Sequence, residues 1–217
     1  MDELRLRSLL TQRRWRLKRA DPRLVARIVS ELGCSPGLAE VLAGRTSSPQ
    51  SAQALLSADL CLNEPWELEG MERAVERLLR ARERGERVFI HGDFDVDGLT
   101  GAALLYLGLR RAGLRGLKVE VEDRERGHGL NREVVERLKR EGFHLLITAD
   151  CGISDPEHVR ELEAHGVNVI ITDHHRPLPQ LPPATAIIDP LVEGCTYPNR
   201  SLAGVGVAFQ LLRGFYE

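Results

Sequence analysis

Two hydrophobic rhythms divide this chain. Up to about residue 65, apolar positions follow helical three-and-four spacing, as in Leu24, Val25, Ile28, Val29 and Leu32. Asp21-Pro22, Ser35-Pro36 and Ser48-Pro49 each set an N-cap residue before a proline suited to the first helical position. Gly33 and Gly44 stand where helix stops are expected. From about residue 70 the pattern alternates. Met71, Ala74, Val75, Leu78 and Leu79 stripe one helix face, and Gly85 ends that helix. Strand-like runs follow at 87–91, 117–121, 144–149, 167–172 and 185–189, with helical segments at 98–113, 131–141 and 155–165 between them. Asp155-Pro156 repeats the capping style of the first helices, and 98–113 is apolar on most faces, so it is expected to be buried. The pattern predicts an α/β fold: a mostly parallel sheet of about five strands flanked by helices, preceded by a small α-helical segment. The expected boundary separates a helical segment, 1–68, from an α/β domain, 69–217.

Charge and cysteine usage change this picture only locally. The 217 residues carry a net charge of −2, so bulk charge does not announce a nucleic-acid partner. Arginines are nonetheless dense from Arg5 to Arg27, a basic face that suits phosphates or simply a solvated helix. Cys34, Cys61, Cys151 and Cys195 form no close pair, which fits reduced thiols in a cytoplasmic protein better than a zinc ribbon or a disulfide framework. No apolar run is long enough for a membrane span. An apolar helix begins near Ala203 and runs into the final residues, and from it the domain is expected to continue beyond Glu217.

Chemistry concentrates after the first strand. His91, Asp93, Asp95 and Asp97 fall within His91-Gly-Asp-Phe-Asp-Val-Asp-Gly98. Carboxylates at that density repel one another unless a cation neutralises them. Other candidates also follow strands: His128 in Gly127-His-Gly129, Asp150 in Thr148-Ala-Asp-Cys-Gly152, Asp173-His174-His175, and Asp189. Ligands of open α/β sheets bind outside the carboxyl ends of the strands, and all these candidates lie on that edge. Carboxylate and imidazole without thiolate suit Mn²⁺ or a similar divalent ion, with Mg²⁺ as a second candidate. There are enough donors for two ions. Asp189, which precedes Pro190, suits a turn.

The His91–Gly98, Thr148–Gly152 and Asp173–His175 motifs, in this order and spacing, resemble the DHH phosphoesterase superfamily. The segment Trp15–Arg45, the Gly127–Leu130 loop and Leu202-Ala-Gly-Val-Gly-Val-Ala-Phe209 extend the resemblance to its single-stranded-DNA-specific exonucleases. What the resemblance implies is a Mn²⁺-dependent 5′→3′ exonuclease of DNA repair and recombination. Such an enzyme releases 5′-mononucleotides by a metal-activated water. His91 and Asp95 would hold one ion, Asp97 and His174 the other, and Asp150 both; Asp93 would touch or support them. His175 would contact the scissile phosphate, and Asp173 would orient the histidine pair. His128, where the family usually has an aromatic residue, and Arg124 are candidate substrate contacts. A further metal-binding aspartate is expected beyond residue 217. Single-stranded DNA is the implied partner, with a single-strand-binding protein and a helicase as candidate associates of a monomer. Two alternatives stand: a DHH hydrolase of short substrates (oligoribonuclease, cyclic-dinucleotide phosphodiesterase or pyrophosphatase), and a non-catalytic DHH scaffold.

Overall fold

In the computed structural model, the described residues are 5–7, 14–16, 19–57 and 62–217. The chain divides into two units, residues 1–62 and 63–217. In the first, a short antiparallel pair, β1 (Arg5–Arg7) and β2 (Arg14–Arg16), precedes three helices; the helical expectation did not include it. Helices α1 (Pro22–Leu32), α2 (Pro36–Ala43) and α3 (Pro49–Leu56) each begin with the proline that the sequence predicts. The Asp21 carboxylate accepts from the Arg23 N–H at 3.0 Å, the Ser35 hydroxyl from Leu38, and Ser48 forms a reciprocal capping box with Ser51. Ile28, Ala39, Leu42 and Ala52 close a small core of their own.

The second unit is a fully parallel five-stranded sheet. Its strands are β3 (Arg87–Gly92), β4 (Gly116–Val121), β5 (Leu145–Ala149), β6 (Asn168–Thr172) and β7 (Ala186–Ile188), in the order β4-β3-β5-β6-β7. Period-two alternation sends successive side chains to opposite faces. Val88, Ile90, Leu145, Ile147 and Ile170 pack on one face with helices α4 (Met71–Arg84), α5 (Val96–Arg111) and α8 (Gly204–Tyr216). Phe89, Leu146, Val169 and Ile171 pack on the other with α6 (Arg132–Glu141) and α7 (Pro156–Ala164). Covering both faces explains why these strands read as unbroken apolar runs. The order also fixes where a ligand can sit. From β3 the chain crosses to β4 on one side, then returns to β5 on the other, so the topological switch point lies between β3 and β5.

Two expectations are corrected. Helix α5 is buried along one stripe only: Leu105 and Leu109 are inaccessible, whereas Leu99 is 51% and Leu107 63% exposed. Beside the edge strand β4, its outer face carries more apolar residues than a solvated helix requires. Leu105→Ala should therefore cost about 2–5 kcal/mol and Leu107→Ala less than about 0.5 kcal/mol, readable by denaturant titration. The second correction concerns Asp155, which precedes α7 without capping it. Its carboxylate instead accepts from the Leu130 N–H at 2.9 Å, pinning the loop that follows β4. Among the described residues, no helix is long and apolar enough to cross a membrane, and Cys34, Cys151 and Cys195 are free thiols.

Candidate metal centre

Local geometry begins with the turn from β3 into α5. Asp95 is the N-cap of α5: its Oδ1 accepts from the Asp97 and Gly98 N–H groups at 2.9 and 3.0 Å, which holds its pKa below the usual carboxylate value. The turn is so tight that a Cβ on Gly98 would lie 2.5 Å from both the N and the O of Asp93. Asp93 is in turn tied to the neighbouring strand, its N–H donating to the Ala149 carbonyl at 3.1 Å.

Asp150 follows β5 directly and has φ +64°, the one positive φ among the described non-glycine residues. Aspartate tolerates this left-handed conformation better than most side chains, but strain held at a strand end is a recurrent mark of a functional site. The residue is 2% exposed. Burial, with Asp97 as a charged neighbour, pushes its pKa up to about 7. His174 Nε2 lies 3.0 Å from Asp150 Oδ1 and 3.6 Å from Asp97 Oδ2. The other ring nitrogen of His174 is 2.9 Å from the Leu202 carbonyl; donation there leaves Nε2 with its lone pair, facing the carboxylates.

Asp173 is fully buried and organises the next layer. Its Oδ1 accepts from the backbone N–H groups of His174 and His175 and from His175 Nδ1, at 2.7, 3.1 and 2.7 Å; its Oδ2 accepts from Ile153 N–H at 3.1 Å. Burial pushes the Asp173 pKa up, but these bonds outweigh it and leave the group below the usual value. The same contact raises His175 to about 9, so that ring is a cation at neutral pH. His128 Nδ1 lies 2.9 Å from Asp93 Oδ1, and its ring sits 4.9 Å from that of His175. The Arg124 guanidinium stacks over Phe94 at 5.3 Å, beside the motif and outside the groups of converging donors. Asp189 forms the turn expected of it, accepting from Leu191 N–H at 2.7 Å, and its buried side chain is raised to about 7 by desolvation.

Donor atoms converge in two groups, each within 4.8 Å: Asp93, Asp95 and Asp150 in one, Asp150, His174 and His175 in the other. Asp150 belongs to both. Neither group includes His91 or Asp97. The His91 ring is buried with Nδ1 unpartnered, whereas both Asp97 oxygens accept from the first N–H groups of α8, Gly204 and Val205, at 2.6 and 2.7 Å. The carboxylates and His174 fit a hard divalent ion, whereas the cationic His175 offers no lone pair. Cis ligands about 2.1 Å from an octahedral ion stand about 3.0 Å apart, the separation of His174 Nε2 and Asp150 Oδ1. Asp150 Oδ1 is nevertheless buried without a hydrogen bond, an orphan that a cation would satisfy. Sequence reasoning missed the Leu202 carbonyl, the amides that hold Asp97 and the role of Asp155. The first two are backbone groups with no sequence signature, and the Pro156 after Asp155 points to the wrong partner.

Gathered at the switch point, these motifs are those of a DHH domain: residues 87–217 match the DHH family, N-terminal domain, and the chain belongs to that family. Its particular relatives are more specific. The chain is 36% identical to the single-stranded-DNA-specific exonuclease RecJ of Bacillus subtilis (strain 168) over 206 residues, covering 94% of this chain and 26% of that protein. With the Escherichia coli (strain K12) RecJ it shares 45% identity over 150 residues, 68% of this chain and again 26% of the relative. The chain thus spans about a quarter of the length of these curated relatives. Among solved structures, RecJ in complex with Mn²⁺ from Thermus thermophilus superimposes with a TM-score of 0.66 at 30% identity, covering 92% of this chain and 28% of that one. A second RecJ bound to manganese gives 0.65 at 36% identity, covering 73% of this chain and 39% of that one.

Proposed function

We propose that this chain carries the metal-binding core of a Mn²⁺-dependent 5′→3′ exonuclease on single-stranded DNA, which releases 5′-mononucleotides during repair and recombination. The observation that carries this reading is Asp150, a strained, buried carboxylate at the switch point that belongs to both donor groups. In this reading Asp150, with His91 and Asp95 on one side and Asp97 and His174 on the other, would hold two divalent ions, and Asp93 would support the first set. When bound, such a pair supplies an activated water and positive charge for an in-line displacement at phosphorus. The protein's own groups do the rest. Asp173 holds His175 cationic and oriented toward the scissile phosphate. His128, beside Asp93 and His175, and Arg124, beside Phe94, face the incoming strand. The activity named for the relatives and the manganese in two of their structures support the assignment. Free thiols support a cytoplasmic setting, where a DNA substrate would be met as strands exposed by a helicase or held by a single-strand-binding protein.

The test is release of mononucleotides from 5′-phosphorylated single-stranded DNA with Mn²⁺, using Asp150→Ala as control. Release that depends on both metal and Asp150 is expected; release unchanged in the variant would overturn the assignment.

The pH dependence of ion binding follows from Asp150. Its raised pKa means that the metal-free fold is stabilised by protonation, an advantage that fades as pH rises from about 4 to about 7. An ion must expel that proton below pH 7. Apparent Mn²⁺ affinity should therefore rise about tenfold per pH unit between pH 5 and 7 and flatten above, as read by titration calorimetry.

A further inference from the structure

Glu122, the first residue after β4, is a buried carboxylate that no motif explains; it is 8% exposed. Its Oε1 accepts from the Asp123 N–H at 2.9 Å, and its Oε2 accepts from the Asn131 side-chain amide. That same Oε2 lies 3.7 Å from His91 Nε2, which is also 3.3 Å from the Gly129 carbonyl. Both neighbours of Nε2 are acceptors, so the proton of a neutral His91 ring belongs on Nε2. Nδ1 is then the atom with a free lone pair, and it is buried without a partner. Asn131 extends the arrangement: while donating to Glu122, its Oδ1 accepts from Val134 N–H at 3.0 Å and caps α6. One carboxylate therefore reaches the ring of His91 and the residue that ends the Gly127–Leu130 loop.

We propose that Glu122 is a positioning residue for His91. Together with the Gly129 carbonyl it fixes the Nε2–H tautomer, sets the ring plane and makes Nδ1 a better donor to a divalent ion. The inference rests on the reading of His91 as an ion ligand. A carboxylate behind a ligating imidazole acts in this way at metal sites generally, and losing it weakens binding by about 10–100-fold. Its pairing with His91 also accounts for a carboxylate that burial alone would disfavour.

Two measurements decide it. The first is the tautomer of His91 in the metal-free protein, from long-range ¹H–¹⁵N correlation spectra. The parent is expected to be Nε2–H, and Glu122→Gln a mixture, because an amide can donate as well as accept. The second is Mn²⁺ affinity. Glu122→Gln should raise the Kd about tenfold or more, whereas Asn131→Ala, which frees the loop but keeps the carboxylate, should raise it less than threefold. Equal losses in the two variants would reduce Glu122 to a loop anchor and overturn the proposal, as would a Kd within twofold of the parent. If the Gln variant does not fold, Glu122→Asp, which withdraws the charge by one methylene, should shift the Kd in the same direction. A parent that binds no Mn²⁺ would sink the metal reading of His91, while the tautomer spectra would still decide whether Glu122 sets the ring.

Discussion

Replacing Asp150 with asparagine should abolish ion-dependent activity and, at the same time, make the metal-free protein more stable. The two effects share one cause. Asp150 is buried, sits beside Asp97 and is raised to about 7, so at pH 8 the metal-free fold holds a carboxylate that it would rather protonate. Asparagine keeps the shape and tolerates φ +64° nearly as well, but carries no charge. A gain of about 1 kcal/mol corresponds to about 2–4 °C in Tm for a domain of this size. The difference should shrink as pH falls below about 7 and vanish only near pH 4, where Asp150 is protonated in the folded and unfolded chains alike. Activity should fall by at least about a thousandfold, the upper range for losing one group that stabilises transition-state charge. Alanine would lose the charge too, but it suits the left-handed backbone less well and should be about 1 kcal/mol less stable than asparagine. Calorimetry at pH 4 and pH 8 separates these outcomes. An asparagine variant less stable than the parent at pH 8 would mean that Asp150 is not under electrostatic strain.

Gly98→Ala should be among the most damaging single-methyl changes in the second unit. The new Cβ would meet backbone, 2.5 Å from the N and O of Asp93, and backbone cannot rotate away as a side chain can. The cost should reach about 3 kcal/mol, at the top of the usual range for overpacking. It should also carry the first donor group with it, because Asp93 and the Asp95 cap lie on the turn that must open. Gly204→Ala is a useful contrast. Its Cβ would press on Asp150 Oδ1 at 2.5 Å and on Asp150 Cβ at 2.7 Å, so the clash is with a side chain of the site itself. Ion affinity should suffer there more than global stability. Parallel urea titration and Mn²⁺ binding distinguish the two, and a Gly98→Ala protein as stable as the parent would show that the turn can relax.

The distribution of what the sequence reveals follows from physics. Strands covered on both faces are written as apolar runs, so β3, β5 and β6 were legible in Val88–Ile90, Leu145–Ile147 and Val169–Ile171. The caps of α1 to α3 were legible because Ser, Asp and Pro there act on the next few residues. Asp155 shows the limit of such local rules: the same Asp-Pro pair is used for a bond to Leu130, a choice made by tertiary packing. Helix α5 shows another limit, since apolar content alone does not reveal that Leu99 and Leu107 face outward. At the site, ligand types and strand-end positions were readable, and the structure brings Asp93, Asp95, Asp150, His174 and His175 together. What orients them was not readable. The Leu202 carbonyl, the Gly204 and Val205 amides and Glu122 lie 28, 107, 108 and 31 positions from their partners His174, Asp97 and His91, and nothing in the sequence marks contacts so remote.

In the proposed function Asp150 would be shared by two divalent ions at the β3/β5 switch point. Anomalous scattering from crystals of this chain grown with Mn²⁺ tests it most directly. Two peaks about 3.5–4 Å apart are expected, one on each side of Asp150, the first within bonding distance of Asp95 and the second of His174. Mn²⁺ peaks elsewhere on the surface, with none touching Asp150, would contradict it.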